Sequence, residues 1–479
     1  CRRCPARSGG AGARPVSREG LRAATGKMRR AGLPEAAVRT FAHAYRELAA
    51  GASGTLPDRE LEPVRDVPDA AALTAPPDRA ALDRTVVVKL NGGLGTSMGM
   101  SGPKSLIEAR EGLSFLDVIV RQVLALRRQT GARLPLVLMN SFRTRDATLA
   151  ALARHPELDA GLPLDFLQHK EPRIRADDLQ PVRWPQRPEL EWCPPGHGDL
   201  YPALAGSGML ATLLDEGYEY AFVSNADNLG ATLDPGLLAW FAHEQLPFAM
   251  EVVAGTEEDR KGGHIARRAD GRLVLRETAQ TPPEDAASFR DFRRWRHYNT
   301  NNLWIDLRAL ARRLAEGDGV LGLPLIVNRK RVNAADPASP EVIQLESAMG
   351  AAIGAFEGAR AVRVPRTRFA PVKTTDDLLV LRSDVYRLSA EASVDRNPER
   401  DGDRPFVDLD EAFFAHVDEF DRRLPHGPPS LVGADRLVVR GDVTFGAGVV
   451  ARGRVHVAAG DRPLHIPDGT VLEGERDSV

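Results

Sequence analysis

An apolar segment runs directly into a glycine-rich stretch, and this junction constrains the fold more than any other feature of the chain. Residues 85–90 (TVVVKL) are mostly apolar and β-branched, which predicts a buried strand. Residues 91–99 (NGGLGTSMG) then place glycine where a chain turns sharply and lets its backbone approach a ligand. Successive N–H groups in such a turn form a concavity for phosphate oxygens. The junction therefore predicts a phosphate-binding loop, with a turn that serves only packing as the alternative.

The spacing of the residues around this loop argues against two common phosphate-binding motifs. No Gly-Lys-Ser/Thr closes the loop at the distance a Walker A motif requires. The dinucleotide pattern needs its third glycine where Met98 stands, and Gly99 comes one residue late. Pro103 fixes the backbone just before Lys104, so this cation is presented in a set direction. A polyphosphate needs such a cation, which favours the phosphate-binding interpretation.

Helical and strand-like segments alternate beyond the loop. The helical patterns cover residues 116–126, 144–154 and 204–214, and the strand-like ones cover 134–139, 164–167, 220–224 and 248–253. This alternation predicts an α/β domain over residues 85–395, with a mixed, mainly parallel sheet and helices on both faces. Ligands of such sheets bind outside the carboxyl ends of the strands. An amphipathic helix over residues 33–48 belongs to a preceding helical segment, residues 31–84.

The last part of the chain has a different pattern. Apolar residues recur every six positions, with glycines between them, at Leu431, Leu437, Val443, Val449 and Val455. A six-residue period predicts a short β-helix, and two small hairpins are the alternative. Residues 396–404 are polar and predict a linker or an exposed loop, so this region is assigned to residues 396–479.

Composition limits the classes of function. The net charge of −2 argues against a global field that attracts nucleic acid or anionic membranes, so anionic ligands need a local pocket. Cys1, Cys4 and Cys193 make neither a disulfide framework nor a metal set, and a reducing cytoplasm is expected. Residues 1–30 are rich in Arg, with Glu19 their single acid. They predict a disordered leader, or one translated from upstream of a start at Met28, rather than a transit peptide.

Two loops that follow predicted strands or turns carry side chains suited to phosphate chemistry. Asp227 lies in SNADN directly after a strand, where a carboxylate either makes an Asx turn or holds Mg²⁺ beside phosphates. His197 lies in WCPPGHGD, between prolines and glycines that hold it rigidly and leave room for a ligand. We expect His197 to donate a hydrogen bond to substrate rather than to act as a base.

Two further motifs suit a sugar phosphate. Lys373 in FAPVKTTDD precedes a good helix start, so it is either a surface lysine beside a capped helix or a second phosphate-binding cation. The amides of YNTNNLW, residues 298–304, both donate and accept hydrogen bonds, which suits sugar hydroxyls. A turn-forming asparagine cluster is the competing explanation.

These motifs, in this order, resemble the UTP–glucose-1-phosphate uridylyltransferase family of the eukaryotic type. The resemblance extends from about residue 86 to residue 377, and its most specific parts are residues 90–105, 194–199, 224–227, 298–304 and 372–377. It implies a Rossmann-like nucleotidyltransferase domain followed by a left-handed β-helix. One departure is Ser101, where many relatives carry a lysine that would assist pyrophosphate.

The resemblance also implies roles for individual residues. It places at the nucleotide Leu90, Gly92, Gly93, Lys104, Gln168, Gly196, Asn225, Asp227 and Lys373. It places at the sugar phosphate Gly92, Gly93, His197, Asn225, Glu277 and Asn302. Lys373 and Lys104 would be catalytic, Gln168 would contact uracil, and Asp227 would bind Mg²⁺.

The implied reaction converts UTP and glucose 1-phosphate into UDP-glucose and pyrophosphate. Its nucleophile is a phosphate oxygen that is already ionised at neutral pH, so no general base is expected. Three alternatives stay open: a pyrophosphorylase for N-acetylglucosamine or galactose 1-phosphate, a non-catalytic sugar-nucleotide-binding protein and, disfavoured by the glycine spacing, an NAD-dependent dehydrogenase. Neither nucleic acid nor a membrane is expected as a partner, and the C-terminal domain could support a homo-oligomer.

Overall fold

The computed structural model describes residues 15–76 and 78–477. The α-helices of this part are α1 (Pro15–Arg30), α2 (Glu35–Ala49), α3 (Arg79–Asp83), α4 (Phe115–Thr130), α5 (Arg145–Leu152), α6 (Leu200–Gly206), α7 (Met209–Asp215), α8 (Pro235–His243), α9 (Ala286–Phe289), α10 (Leu307–Glu316), α11 (Thr375–Arg382), α12 (Glu411–Phe414) and α13 (Val417–Arg423). Among the described residues, no helix combines the length and the apolar character that a membrane crossing requires.

The β-strands are short and numerous. They are β1 (Leu61–Pro63), β2 (Thr85–Asn91), β3 (Glu108–Arg110), β4 (Leu113–Ser114), β5 (Leu136–Asn140), β6 (Asp165–Leu167), β7 (Glu171–Pro172), β8 (Ile174–Arg175), β9 (Trp192–Cys193), β10 (Tyr220–Asn225), β11 (Phe248–Ala254), β12 (His264–Arg268), β13 (Leu273–Arg276), β14 (His297–Asp306), β15 (Ile326–Arg331), β16 (Glu341–Glu346), β17 (Arg360–Arg363), β18 (Tyr386–Leu388), β19 (Val394–Arg396), β20 (Phe406–Leu409), β21 (Ala434–Arg440), β22 (Val443–Phe445), β23 (Val450–Ala458), β24 (Leu464–Ile466) and β25 (Val471–Asp477).

A mixed central sheet organises the α/β part. The strands β6, β5, β2 and β10 lie side by side and run parallel, and β14 continues the sheet antiparallel to β10. The register between β2 and β10 pairs Leu90 with Asn225, so the glycine loop and the Asp227 loop leave the sheet at the same edge. This is the carboxyl edge of the parallel strands, where α/β sheets bind ligands.

Two apolar cores flank the sheet. One contains buried side chains of α4, α8 and α11, and the other contains those of α6, α7 and α10. The prediction of an α/β protein with a mixed sheet is confirmed. The predicted helix over residues 204–214 is wrong in detail, because Gly208 takes φ = 81° and separates α6 from α7.

The prediction of a disordered leader over residues 1–30 is corrected for residues 15–30, which form α1. Leu21, Ala24 and Met28 lie three or four positions apart and pack against Tyr45 of α2, and Met28 is 1% exposed. The helix is therefore amphipathic, although the arginines between these apolar residues obscure the pattern in the sequence. Residues 1–14 lie outside the described part of the chain.

The C-terminal region consists of parallel strands in two sheets. The first sheet has the order β20-β21-β23-β25, and the second pairs β22 with β24. The residues with the six-residue period are all buried: Leu431, Leu437, Val443, Val449 and Val455. The apolar period therefore marks the interior of this region.

Candidate functional site

The glycine loop folds back on itself directly after β2. The backbone N–H of Lys104 donates to the carbonyl of Gly93 at 3.2 Å, and that of Gly95 donates to the carbonyl of Gly102 at 3.2 Å. Gly99 closes the inner turn with φ = 77°, a backbone conformation that glycine adopts without strain. The loop thus returns Lys104 to the place where the strand ends.

Lys104 and Asp227 meet at this edge of the sheet. The Nζ atom of Lys104 lies 3.2 Å from Oδ2 of Asp227, and both side chains are mostly buried. The other carboxylate oxygen, Oδ1, is buried without a hydrogen-bond partner in the described structure. A buried anionic oxygen without a partner is costly, so this geometry favours a ligand that supplies positive charge.

The Asp227 carboxylate is not part of an all-protein metal cage. Within residues 15–76 and 78–477, no group of three or more His, Cys, Asp or Glu side chains could hold a metal ion. Mg²⁺ beside phosphates typically takes one or two carboxylates and completes its shell with water and phosphate oxygens. A single aspartate beside a phosphate-binding loop fits that coordination.

Gln168 joins the glycine loop to the loop that carries His197. A Cβ atom on Gly92 would lie 2.5 Å from Oε1 of Gln168, so the end of the Gln168 side chain packs directly against the backbone of the loop. The Nε2 amide of Gln168 donates to the carbonyl of Gly196 at 3.2 Å. Gly196 has φ = 78°, and its own Cβ would lie 2.5 Å from the carbonyl oxygen of Ser347. The structure thus brings together three residues that the sequence places far apart.

His197 is neutral in this setting. The backbone N–H of Met349 donates to Nδ1 at 2.9 Å, and burial lowers the pKa of His197 to about 4. At neutral pH the ring proton is therefore on Nε2, which can only donate. This supports the prediction of a hydrogen-bond donor rather than a base.

Lys373 is exposed, and its segment is anchored to the Asp227 loop. The backbone N–H of Val372 donates to the carbonyl of Asp227 at 3.0 Å, and that of Lys373 donates to Oδ2 of Asp377 at 2.7 Å. Asp377 also completes the capping box that begins α11 at Thr374. The predicted helix start is confirmed.

Glu277 lies within the electrostatic reach of Lys373. Burial raises the pKa of the Glu277 carboxyl group, and the charge of Lys373 partly opposes this rise. A Cβ on Gly263 would lie 2.6 Å from Oε2 of Glu277, so the carboxylate packs directly against the backbone of Gly263. Glu277 and Lys373 therefore lie close enough to interact electrostatically.

Asn302 does not reach the cleft. It is fully buried, and its Nδ2 amide donates to Oε2 of Glu251 at 2.9 Å and to the carbonyl of Arg368 at 3.3 Å. Its neighbour Asn301 is partly exposed and has φ = 60°. Asn299 donates to Oδ1 of Asn301 at 2.8 Å. Its Nδ2 atom also lies close to Gly350, which follows Met349, the residue whose backbone N–H donates to His197.

Within residues 298–304 only Asn301 is partly exposed, and its φ of 60° departs from the extended conformation of the strand. The assignment of Asn302 to the sugar stays a prediction. Ser101, the position where a lysine was expected, is exposed at the loop surface.

Comparisons with known proteins agree with the order of these motifs. The sequence model of a family described as UTP–glucose-1-phosphate uridylyltransferase matches residues 38–452. The UTP–glucose-1-phosphate uridylyltransferase of Hordeum vulgare is 43% identical over 413 residues, which cover 84% of each chain. That of Saccharomyces cerevisiae is 42% identical over 400 residues, which cover 83% of this chain and 79% of the yeast protein.

Solved structures give the same result. A mutant UDP-glucose pyrophosphorylase from Leishmania major in complex with UDP-glucose superposes with a TM-score of 0.91 at 44% identity, covering 95% of this chain and 99% of that one. A Trypanosoma brucei structure described as a UDP-glucose phosphorylase superposes with a TM-score of 0.88 at 42% identity, covering 96% and 99%. The shared fold extends over nearly the whole of both chains.

Proposed function

This chain belongs to the UTP–glucose-1-phosphate uridylyltransferase family, and from that premise we propose how its cleft joins the two substrates. The enzyme transfers UMP from UTP to glucose 1-phosphate and releases pyrophosphate. The observation that carries the assignment of the site is the pairing of Lys104 with Asp227 at 3.2 Å beside the glycine loop. It puts a cation and a carboxylate at the edge where a triphosphate would lie.

The nucleotide is proposed to lie along the loop and the Gln168 bridge. The backbone of Leu90, Gly92 and Gly93 approaches the nucleotide, and the space where a side chain of residue 93 would stand is open. Gln168 contacts uracil through its side-chain amide. The Nε2 atom of this amide donates to the carbonyl of Gly196 at 3.2 Å. An amide can both donate to and accept from the base.

The sugar phosphate is proposed to lie between His197, Asn225 and Glu277. Neutral His197 donates from Nε2 to a phosphate or hydroxyl oxygen, and buried Glu277 accepts from sugar hydroxyls. Asn301 replaces Asn302 as the amide contact, because Asn302 is fully buried and its amide is engaged by Glu251.

Asp227 is proposed to hold Mg²⁺ through Oδ1. This oxygen is buried and lacks a partner in the described structure, and it is a hard ligand of the kind Mg²⁺ takes. When bound, the ion would neutralise charge on the phosphate oxygens of UTP.

The two lysines are proposed to carry the chemistry. A phosphate oxygen of glucose 1-phosphate attacks the α-phosphorus in line, and pyrophosphate leaves with the electron pair of the broken P–O bond. No proton moves in this step, so the site needs positioning and positive charge rather than an acid and a base. Lys373 neutralises the α-phosphate and the incoming phosphate, and Lys104 neutralises the departing phosphates.

Finer features are proposed from the resemblance. The two parallel sheets of residues 406–477 support a β-helix, left-handed as the resemblance implies. A cytoplasmic location rests on the composition and on the buried free thiol of Cys193. A homo-oligomer through the C-terminal region is also proposed.

Pyrophosphate release tests the proposal. Release from UTP should require both a sugar 1-phosphate and Mg²⁺, and glucose 1-phosphate should exceed the N-acetylglucosamine and galactose compounds in kcat/KM. Lys373→Ala and Lys104→Ala should each reduce kcat by about a hundredfold, if each lysine acts as one preorganised donor. Lys330→Ala, which removes an exposed lysine of β15, is the control and should leave kcat unchanged. An undiminished kcat in Lys373→Ala would contradict its assignment.

A further inference from the structure

A buried polar network lies behind the two segments that carry Asp227 and Lys373. Its centre is Glu251 of β11, which is fully buried and whose carboxylate pairs with the guanidinium of Arg368 at 2.8 and 2.7 Å. The same carboxylate accepts from Asn302 at 2.9 Å and from the indole of Trp304 at 3.1 Å. Both oxygens of Glu251 are thus satisfied, which a buried charge requires.

Asn228, the residue after Asp227, connects this network to the Lys373 segment. Its side chain is 1% exposed. Its Nδ2 amide donates to the carbonyl of Arg368 at 3.0 Å, and its Oδ1 accepts from the backbone N–H of Ala370 at 3.0 Å. One amide therefore pairs with two backbone groups of the segment that leads to Lys373.

The two segments are in close contact at three further points. The N–H of Val372 donates to the carbonyl of Asp227 at 3.0 Å, immediately before Lys373. Arg368 donates to the carbonyl of Thr232 at 2.8 Å. A Cβ on Gly230 would overlap the carbonyl oxygen of Thr367, so only glycine allows this approach. The segments therefore cannot shift independently while the network is intact.

A buried lysine supports the Asp227 loop from the sheet. Lys89 of β2 is 2% exposed, and its Nζ donates to Oγ of Ser224 at 2.7 Å and to the carbonyl of Ala231 at 2.7 Å. These contacts hold both ends of the loop that contains Asp227 and Asn228. The side chain of Asn228 is then the direct link from this supported loop to the Lys373 segment.

We propose that Asn228, backed by the Glu251–Arg368 pair, is a positioning residue that sets Asp227 and Lys373 in register for the substrates. The inference rests on the proposed function of those two residues. The Asn228 side chain is buried and pairs with backbone groups. It acts through the backbone, so its loss leaves both charged groups present but displaced. A displacement of about 1 Å at a catalytic group can lower turnover about a hundredfold.

Asn228→Ala tests the proposal against a matched control, Asn397→Ala. Asn397 is also buried, and its amide likewise donates to one backbone carbonyl, Asp384, at 2.8 Å and accepts from one backbone N–H, Glu399, at 3.0 Å. Both variants lose these two hydrogen bonds to the backbone and should show a lower Tm, and Asn228→Ala also loses a long contact of 3.5 Å from Nδ2 to Oδ1 of Asn302. They differ in that the side chain of Asn397 pairs with Asp384 and Glu399, and not with the Asp227 or Lys373 segments.

Two measurements separate positioning from simple destabilisation. Calorimetric titration with UTP, with and without Mg²⁺, measures how much the ion increases the affinity for UTP. This Mg²⁺-dependent gain should be about tenfold smaller in Asn228→Ala, which is the usual effect of losing a residue that supports a metal ligand. At saturating Mg²⁺ its kcat should fall roughly tenfold to a hundredfold, with a smaller change in the KM for UTP. Asn397→Ala should match the wild type in both. Equal Mg²⁺ dependence and equal kcat in the two variants would overturn the inference.

The design also separates this inference from the proposed function. A wild-type protein that binds UTP with Mg²⁺ but releases no pyrophosphate would contradict the function, and the calorimetric comparison would still test Asn228. If Asn228→Ala fails to fold, Asn228→Asp serves as the second variant, because it keeps the acceptor for Ala370 and loses the donor to Arg368. It should show a partial loss of Mg²⁺ dependence, and full wild-type behaviour would overturn the inference.

Discussion

His264 is buried in a setting that accommodates only its neutral form. Its ring stacks on Trp295 with centroids 4.6 Å apart, and in the described structure neither ring nitrogen has a hydrogen-bond partner. Burial lowers the pKa of His264 to about 3, and the guanidinium of Arg276 adds to the effect, with Arg294 acting in the same direction and Asp58 against it. The pKa in the unfolded chain is about 6.5.

This difference predicts acid sensitivity that one substitution should relieve. Below pH 6.5 the histidine binds a proton in the unfolded chain but stays neutral in the folded protein. The free energy of unfolding therefore falls as the pH drops from about 6.5 towards 3. Between pH 7.5 and pH 5 the loss amounts to about 2 kcal/mol for a shift of this size. His264→Phe keeps the ring and removes the titration, so its free energy of unfolding should fall less over this range.

Urea unfolding at the two pH values measures the effect. His243→Phe, which replaces an exposed histidine, is the control and should retain the wild-type difference between pH 7.5 and pH 5. A His264→Phe variant with the same pH dependence as the wild type would show that His264 is not the group that titrates.

At the residue scale, the sequence predicted those groups whose role follows from a local motif. Lys104 follows a proline after the glycine loop, and Asp227 follows a strand, and the structure places them 3.2 Å apart. The full burial of Asn302 was not foreseen, because burial along β14 depends on the tertiary environment. Glu251 was not predicted at all, since its partner Arg368 lies more than a hundred residues away and no local pattern links them.

At the element scale, α1 comes closest to α2 and to the loop after β8 at Gly20. A Cβ on Gly20 would overlap the hydroxyl of Tyr45 and would lie 2.5 Å from the carbonyl oxygen of Leu179. The same hydroxyl donates to that carbonyl at 2.8 Å. Because residue 20 is glycine, α1 can pack directly over this hydrogen bond, which connects α2 to the loop after β8.

Two glycine substitutions in α1 should have opposite effects. Gly20→Ala should lower the free energy of unfolding by about 1–3 kcal/mol, the usual penalty of overpacking. Gly26→Ala should raise it by roughly 0.5–1 kcal/mol, because alanine is the better helix former and only the flexible end of Arg30 comes near. Denaturant unfolding of both variants measures the contrast. Equal effects would mean that α1 does not pack on α2 as described.

The sequence predicted elements where the apolar period is uninterrupted and missed them where other signals interfere. The strand β2 and the helix α4 follow simple patterns and were predicted within a few residues. The helix α1 was missed because its basic residues resemble a leader, and its stability comes from packing on α2 rather than from propensity. The break at Gly208 was missed because a glycine inside a helical pattern does not reveal its φ angle.

At the scale of the whole molecule, one apolar core extends from the central sheet into the C-terminal region. It includes Val87 of β2 and Leu472 of β25. Polar contacts join the same two parts: Asp384 accepts from Oγ of Ser430 at 2.6 Å and from the N–H groups of Leu431 and Val432 at 2.8 and 3.0 Å. The predicted boundary at residue 396 therefore does not separate two hydrophobic cores.

The C-terminal region also contacts the segments that carry Lys104 and Lys373. Arg404 pairs with Asp377, whose other oxygen accepts from the backbone N–H of Lys373. A Cβ on Gly99 of the glycine loop would lie 2.7 Å from the ring of His416. The position of both proposed lysines is thus coupled to residues beyond the predicted boundary, which the sequence could not show because each contact joins distant segments.

This continuity predicts that the chain unfolds as one unit. Asp384→Ala removes three hydrogen bonds to a carboxylate, and a loss of about 3 kcal/mol would lower the Tm of a chain this long by about 3 °C. All five tryptophans lie between residues 184 and 304, so their fluorescence reports on the α/β part alone. The fluorescence and calorimetric midpoints should therefore fall together, while Asp461→Ala, at an exposed loop position, should move neither. A calorimetric trace that splits in two, with the fluorescence midpoint unchanged, would show that the two parts fold independently.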